Sequence, residues 1–175
     1  MQGLVRACKE FAKDLHGLAS IFWNLRGTAK QVLAMTFKSF LGFAIVLVHG
    51  AGSFGHLVAK KWDIAGGLES SISKEQRKAV NMIRSDMREL SNLVASKLEI
   101  EGLYSESFPP SEWAEGTGPE FKGELGMFVR RVDQPIPITF GDVVKTGNEQ
   151  QFGILSGDDL MLRISKDLKK FCQSL

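Results

Sequence analysis

The stretch "AIVLVHGAGSFGHLVAKKW", residues 44–62, joins an apolar, β-branched run to a cluster of glycines bracketed by His49 and His56. Phe43 to Val48 is continuously apolar between Gly42 and Gly50, which is how a strand buried on both faces of a parallel sheet reads. The glycine turn follows, and His56 to Trp62 opens a helix. Glycines let a backbone turn tightly and approach an anion closely, and the unpaired N–H groups at a following helix start favour negative charge. A histidine beside such a turn can donate a hydrogen bond to a phosphate oxygen without the permanent charge of a lysine. A plain structural turn is written with the same letters, so both readings stay open at this level.

Gly50, Gly52 and Gly55 satisfy G-x-G-x-x-G after a strand and before a helix, so the dinucleotide fingerprint is formally present. That fingerprint needs an acidic residue about 20 positions on, at the end of a second strand. Here "GGLESSISKEQRKAV" leads into a helix, and Glu69 and Glu75 are badly placed to hold a ribose. A nicotinamide cofactor is therefore disfavoured.

Outward from this turn, the chain is an ordinary α/β sequence. Its 175 residues are enough for one substantial core, and 24% charged against 43% hydrophobic residues excludes a wholly disordered chain. The net charge of +2, with no basic stripe, gives no argument for nucleic acid. Cys8 and Cys172 are far apart, without a C-x-x-C or a histidine pair, so neither zinc nor a disulfide framework is expected, and a cytoplasmic protein is. Residues 39–59 carry no charge, yet the strongly apolar part, Phe40 to Val48, is too short for a membrane span.

Leu4, Cys8, Phe11, Leu15, Leu18 and Phe22 form the stripe of an amphipathic helix, and Glu10 and Asp14 argue against a transit peptide. After Gly27, residues 28–40 are expected to form a second helix. A long helix is predicted over 73–98, with Ser73 and Gln76 as a capping box and Val80, Ile83, Met87, Leu90 and Val94 on one face. Residues 104–126, rich in Pro, Gly, Ser and Glu, read as a long and mobile loop. "PIPITFGDVV" and "FGIL" flank a polar turn as a hairpin, and Ser156 to Asp159 open a last helix with Leu160, Ile164, Leu168 and Phe171 on its apolar side. Strands alternating with long helices point to a layered α/β fold with a largely parallel sheet.

The blocks "VHGAGSFGH" with "AKKW", and "PITFGDVV" with "FGILSGDDLM", resemble isopentenyl phosphate kinases of the amino acid kinase superfamily. Members read close to H-G-(G/A)-G-S-F-G-H at the first site, then G-D-V-V and I-(L/I)-S-G-D-D at the second. The resemblance covers roughly residues 45–168. It implies a three-layer α/β/α sandwich with a mostly parallel sheet, and transfer of the γ-phosphoryl group of ATP, with Mg2+, to isopentenyl phosphate. The product would be isopentenyl diphosphate for isoprenoid synthesis, with dimethylallyl phosphate as a second acceptor and a homodimer as the assembly. Carried over by motif, the Ala51 backbone approaches the substrate phosphate and Gly52 lies by the transferring group of ATP. His56 bonds the isopentenyl phosphate, Gly157 offers a further amide, and Asp158 matches the carboxylate that orients the catalytic lysines. No protein metal ligand is nominated. Asp142 serves equally as a turn residue or a ligand contact, Lys60 and Lys61 as solvated charges, and Ser53 and Phe54 as shapers of the turn. Phe140 stands where the family usually has histidine.

The family's opening K-x-G-G-S turn has no match in residues 1–43, and its later T-D-V-x-G segment has none before Leu175. The expected division is therefore an atypical helical extension over 1–42 and a partial kinase domain over 43–175, lacking the nucleotide-binding half. Impaired activity of this chain alone is expected. The alternative is a non-catalytic acceptor-binding or dimerisation module derived from such a kinase.

Overall fold

In the computed structural model, residues 32–39, 42–100, 103–129 and 134–173 are described. The amphipathic stripe of residues 4–22 lies outside them. The apolar run forms strand β2, Gly42–His49. Successive side chains of a strand point to opposite faces. Leu47 packs with Ile138, Val94 and Leu98 on one face, while Val46 and Val48 pack with Leu155, Leu160 and Ile164 on the other. Covering both faces is why the run shows no polar alternation.

Of the second helix expected over residues 28–40, the described part, residues 32–39, is not helical. Val32–Ser39 is strand β1, paired antiparallel with β2 from Val32↔His49 to Ser39↔Gly42. A short apolar run is ambiguous between helix and strand by periodicity alone. The open edge of β2, with its unpaired backbone groups, decides it.

Helix α1, Gly52–Lys61, leaves the glycine turn and packs on the long helix α2, Ser73–Ile100. The α2 face predicted from spacing is the buried one, with Met87 fully enclosed and Val80, Ile83, Leu90 and Val94 nearly so. Its supposed capping box is not one. Gln76 is buried and reaches backward, accepting from the Glu69 N–H at 2.7 Å and donating to the Trp62 and Gly67 carbonyls at 3.0 Å each. The side chain satisfies the backbone of the 62–69 connection, whose polar groups would otherwise be buried without partners.

Residues 104–126 are not one structureless loop. They hold β3 (Ser105–Ser107), helix α3 (Pro110–Trp113), β4 (Ala114–Glu115) and β5 (Lys122–Gly123). An aromatic cluster organises them, with Trp113 edge-on to Phe121 at 5.9 Å and to Phe128 at 5.3 Å between ring centroids. Arg163 ties this cluster down, donating to the Phe121 carbonyl at 2.9 Å with its guanidinium 5.6 Å from the ring centre. Irregular spacing hid these aromatics from any periodicity test, yet each large side chain buried contributes about 1.5–3 kcal/mol.

Three strands follow, β6 (Ile136–Phe140), β7 (Asp142–Lys145) and β8 (Phe152–Leu155), and then helix α4, Gly157–Gln173. β7 and β8 form the expected hairpin, Asp142↔Leu155 to Lys145↔Phe152. β6 belongs to a different sheet, so Gly141 is the residue at which the chain changes sheets. The first sheet has the order β1-β2-β6-β3, parallel except at β1; the second has the order β5-β4-β7-β8. Helix α2 covers one face of the first sheet and α4 the other, which gives the three-layer α/β/α arrangement. Among the described residues, no helix is long and apolar enough to cross a membrane.

Candidate active site

β2 and β6 are parallel neighbours, in register from Leu47↔Ile138 to His49↔Phe140, and both end at glycines, Gly50 and Gly141. Crevices at the carboxyl ends of parallel strands are where open α/β sheets bind ligands. The Gly141 N–H donates to the His49 carbonyl at 3.1 Å, which draws the two strand ends together. The start of α4 then closes against both. A Cβ on Gly157 would stand 3.6 Å from the His49 carbonyl oxygen, and one on Gly141 would stand 3.3 Å from the Gly157 nitrogen. Three backbone segments meet here, and the approach is tight at Gly141.

Together they border a cleft of about 400 Å³. Gly50, Ala51 and His56 come from the first sequence block, and Asp142, Gly157 and Asp158 from the second. Ala59, Ile83, Val143 and Ile154 add an apolar part to the lining. Of the residues nominated from sequence, Ala51, His56, Gly157 and Asp158 are thus brought to one cavity. Gly52 is not among its lining residues. With φ of +51°, Gly52 is in the left-handed region that favours glycine, so its conformation alone accounts for the residue type. Gly55 answers to packing as well as to the cleft, because a Cβ there would lie 3.1 Å from the Ala51 Cβ and 3.5 Å from Ile83. Phe54 packs into the same core, whereas Lys60 and Lys61 are exposed.

Two helix starts face the cleft, and they differ in character. Ala51 at the head of α1 makes no side-chain capping hydrogen bond, and no acidic residue stands in the first turn. The amino end of α1 therefore offers backbone N–H groups and an uncompensated positive dipole end. At α4, Ser156 Oγ accepts from the Asp159 N–H at 3.0 Å and donates to Asp159 Oδ2 at 2.7 Å, a capping arrangement. Asp159 is used in the cap, and exposed Asp158 is left at the cleft. Anion attraction thus belongs to α1.

The two histidines that bracket the glycines have separate fates. His49 ends a strand, is 1% exposed, and stacks on Phe140 with centroids 4.9 Å apart. His56 sits on α1, exposed at the cleft. His49 Nδ1 lies 3.1 Å from the Gly50 carbonyl, which can only accept, so Nδ1 carries the proton and Nε2 is a bare, buried lone pair. Burial lowers the His49 pKa to about 4, against a smaller opposing effect of the Gly50 bond.

That shift has a thermodynamic consequence. The unfolded chain takes up a proton near pH 6.5 that the native state refuses until about pH 4, so stability is lost as pH falls between those values. The expected loss from this group is about 3 kcal/mol, at about 1.4 kcal/mol per pKa unit. Asp142 acts in the opposite sense. It is 3% exposed, and burial raises its pKa, against hydrogen bonds from Ser111 and Val143 and the charge of Arg84. Its effect is separated by comparison with His49→Phe: urea unfolding from pH 7 to pH 5 should be steeper in pH for the wild type. Parallel profiles would contradict a buried neutral His49.

Asp142 fixes local backbone, as its motif allowed, and also borders the cleft. Its Oδ2 accepts from the Ser111 N–H at 3.0 Å and its Oδ1 from the Val143 N–H at 2.8 Å, so it holds α3 against the head of β7 while bordering the cleft. The apolar part of the lining was not nominated from sequence. Ile83 carried only the signal of a helix core position, and Ile154 that of a strand residue, and neither period says which buried residues border a cavity.

The sequence model of the amino acid kinase family matches residues 25–170. The chain is 26% identical over 126 residues to the isopentenyl phosphate kinase of Methanothermobacter thermautotrophicus, covering 70% of this chain and 47% of that protein. It is 29% identical over 131 residues to the corresponding kinase of Methanocaldococcus jannaschii, covering 71% and 47%. A solved isopentenyl phosphate kinase superposes with a TM-score of 0.67 at 23% identity, covering 90% of this chain and 60% of that one. A substrate complex of such a kinase superposes at 0.58 and 28% identity, covering 70% and 49%. The chain spans about half the length of the curated relatives it matches.

Proposed function

This chain belongs to the amino acid kinase family, and from that premise we propose that its cleft holds the phosphate acceptor of an ATP-dependent kinase, the acceptor being isopentenyl phosphate. The observation that carries this reading is the cleft's mixed lining. It combines the uncapped start of α1 and His56, groups that suit a phosphate, with Ala59, Ile83, Val143 and Ile154, which suit a short hydrocarbon tail. The similarity to isopentenyl phosphate kinases supports the same choice.

In the reaction, an oxygen of the acceptor phosphate bonds to the γ-phosphorus of ATP while the bond to the β–γ bridging oxygen breaks, giving isopentenyl diphosphate and ADP. Such transfers are catalysed mainly by alignment and charge stabilisation. Bound ATP supplies the phosphoryl group, and Mg2+ offsets its charge. The start of α1 at Gly52, which has no side-chain cap, would suit a terminal phosphate of that nucleotide. Mg2+ typically keeps several waters and is held through substrate phosphates, so it would arrive with the nucleotide. Ala51 and Gly157 offer backbone close to the acceptor, and Asp158 is the carboxylate available to orient cationic partners. Transfer, as distinct from acceptor binding, is proposed for the whole protein.

Calorimetry with isopentenyl phosphate, inorganic phosphate and isopentenol tests the reading. Each buried methylene contributes about 0.8 kcal/mol, so isopentenyl phosphate is expected to bind at least about tenfold more tightly than inorganic phosphate. Equal affinities would remove the tail from the site, and binding of isopentenol alone would remove the phosphate.

A further inference from the structure

His49 does not touch the open cleft, and the reading above makes no use of it. Its position is nonetheless central. The backbone carbonyl of His49 accepts from the Gly141 N–H at 3.1 Å, and a Cβ on Gly157 would stand 3.6 Å from it. Its ring, flat against Phe140, returns a hydrogen bond to the carbonyl of Gly50, the next residue in the chain. One residue therefore engages the ends of both parallel strands, beside the start of α4.

We propose that His49 is a positioning residue: its Nδ1–H holds the Gly50 peptide so that the turn at Ala51 and the head of α1 face the acceptor phosphate. The proposal rests on the acceptor-site reading. Gly50 has a glycine's freedom to rotate, and the turn has no side-chain cap to fix it, since Ala51 offers none. A side chain that locks the Gly50 carbonyl on one side of the peptide also fixes the direction of the Ala51 N–H on the other, because the peptide is planar. Phe140 sets the ring plane, and burial keeps a second proton off Nε2. The unpartnered Nε2 follows from this arrangement, because the tautomer that serves Gly50 leaves the other nitrogen as an acceptor.

Two substitutions separate the ring from its proton. His49→Phe keeps an aromatic ring to stack on Phe140 and lacks the donor. His49→Asn gives up the ring and carries an amide N–H at about the distance of Nδ1. Affinity for isopentenyl phosphate is expected to fall about tenfold in His49→Phe and to stay within about threefold of wild type in His49→Asn, as a lost hydrogen bond of ordinary strength implies. In the ligand-free chain, 15N-edited NMR should find His49 as the Nδ1–H tautomer, with the Gly50, Ala51 and Gly157 amide resonances moved in His49→Phe and returned toward wild type in His49→Asn. An Nε2–H tautomer, or a folded His49→Phe that binds as well as wild type with those amides unmoved, would overturn the proposal. A wild-type chain that shows the tautomer and the amide pattern yet binds no isopentenyl phosphate overturns the acceptor reading instead, and with it the ligand that His49 is said to serve. Should His49→Phe fail to fold, the tautomer and the His49→Asn affinity decide.

Discussion

His56→Ala is expected to lower phosphoryl transfer to isopentenyl phosphate by roughly 10²–10³-fold, the usual cost of deleting one donor aimed at a developing charge. His56 is exposed on α1 at the cleft, so the loss should come with an unchanged unfolding midpoint. Transfer is measured with magnesium ATP and isopentenyl phosphate, the diphosphate being detected by mass spectrometry. His56→Gln, which keeps an N–H donor, should recover part of the rate. Wild-type turnover in His56→Ala would exclude the residue from the reaction. Absence of turnover in the wild-type chain leaves acceptor affinity as the readout, where His56→Ala should bind about tenfold more weakly. Binding without transfer would favour the non-catalytic alternative for this chain taken alone.

The second large effect is on stability. Phe128 is fully buried and makes edge-on contacts with Phe108 at 5.8 Å and Trp113 at 5.3 Å, in the same core as Leu125, Leu160 and Ile164. Phe128→Ala is expected to cost about 3–5 kcal/mol, since the packed surroundings can close only part of the cavity. Urea unfolding followed by tryptophan fluorescence measures it, because Trp113 reports on the same cluster. A cost below about 1 kcal/mol would mean that residues 104–128 contribute little to the core. The cleft is linked to this cluster through Ser111, whose N–H holds Asp142. Acceptor affinity should therefore also fall in Phe128→Ala, and far less than in His56→Ala.

Local composition and period were enough for several elements. β2 was readable because a strand covered on both faces must be apolar throughout, and α2 because its buried face repeats at helical spacing. The β7–β8 hairpin and α4 were readable from a polar turn between apolar runs and from Ser156 ahead of a helix. Where partners distant in sequence decide, local reading failed. Val32–Ser39 is a strand because β2 offers it an edge. Gln76 serves the 62–69 backbone and not its own helix start. The segment over 104–126 is organised by aromatics without a period.

The site divides along the same line. The glycine turn and His56 could be named from the chain because close backbone approach and anion binding demand particular residue types at short spacing, and the S-G-D-D block from its resemblance to a family motif. Their convergence could not, since it depends on the parallel pairing of β2 with β6 and on Gly141 carrying the chain from one sheet to the next. Nor could the chain show that His49 and His56, equally placed around three glycines, would part. A strand end buried under Phe140 makes one a neutral internal donor, and the exposed face of α1 leaves the other free to meet a ligand. Sequence determined which chemistry was available; burial and strand order decided which residues face the cleft.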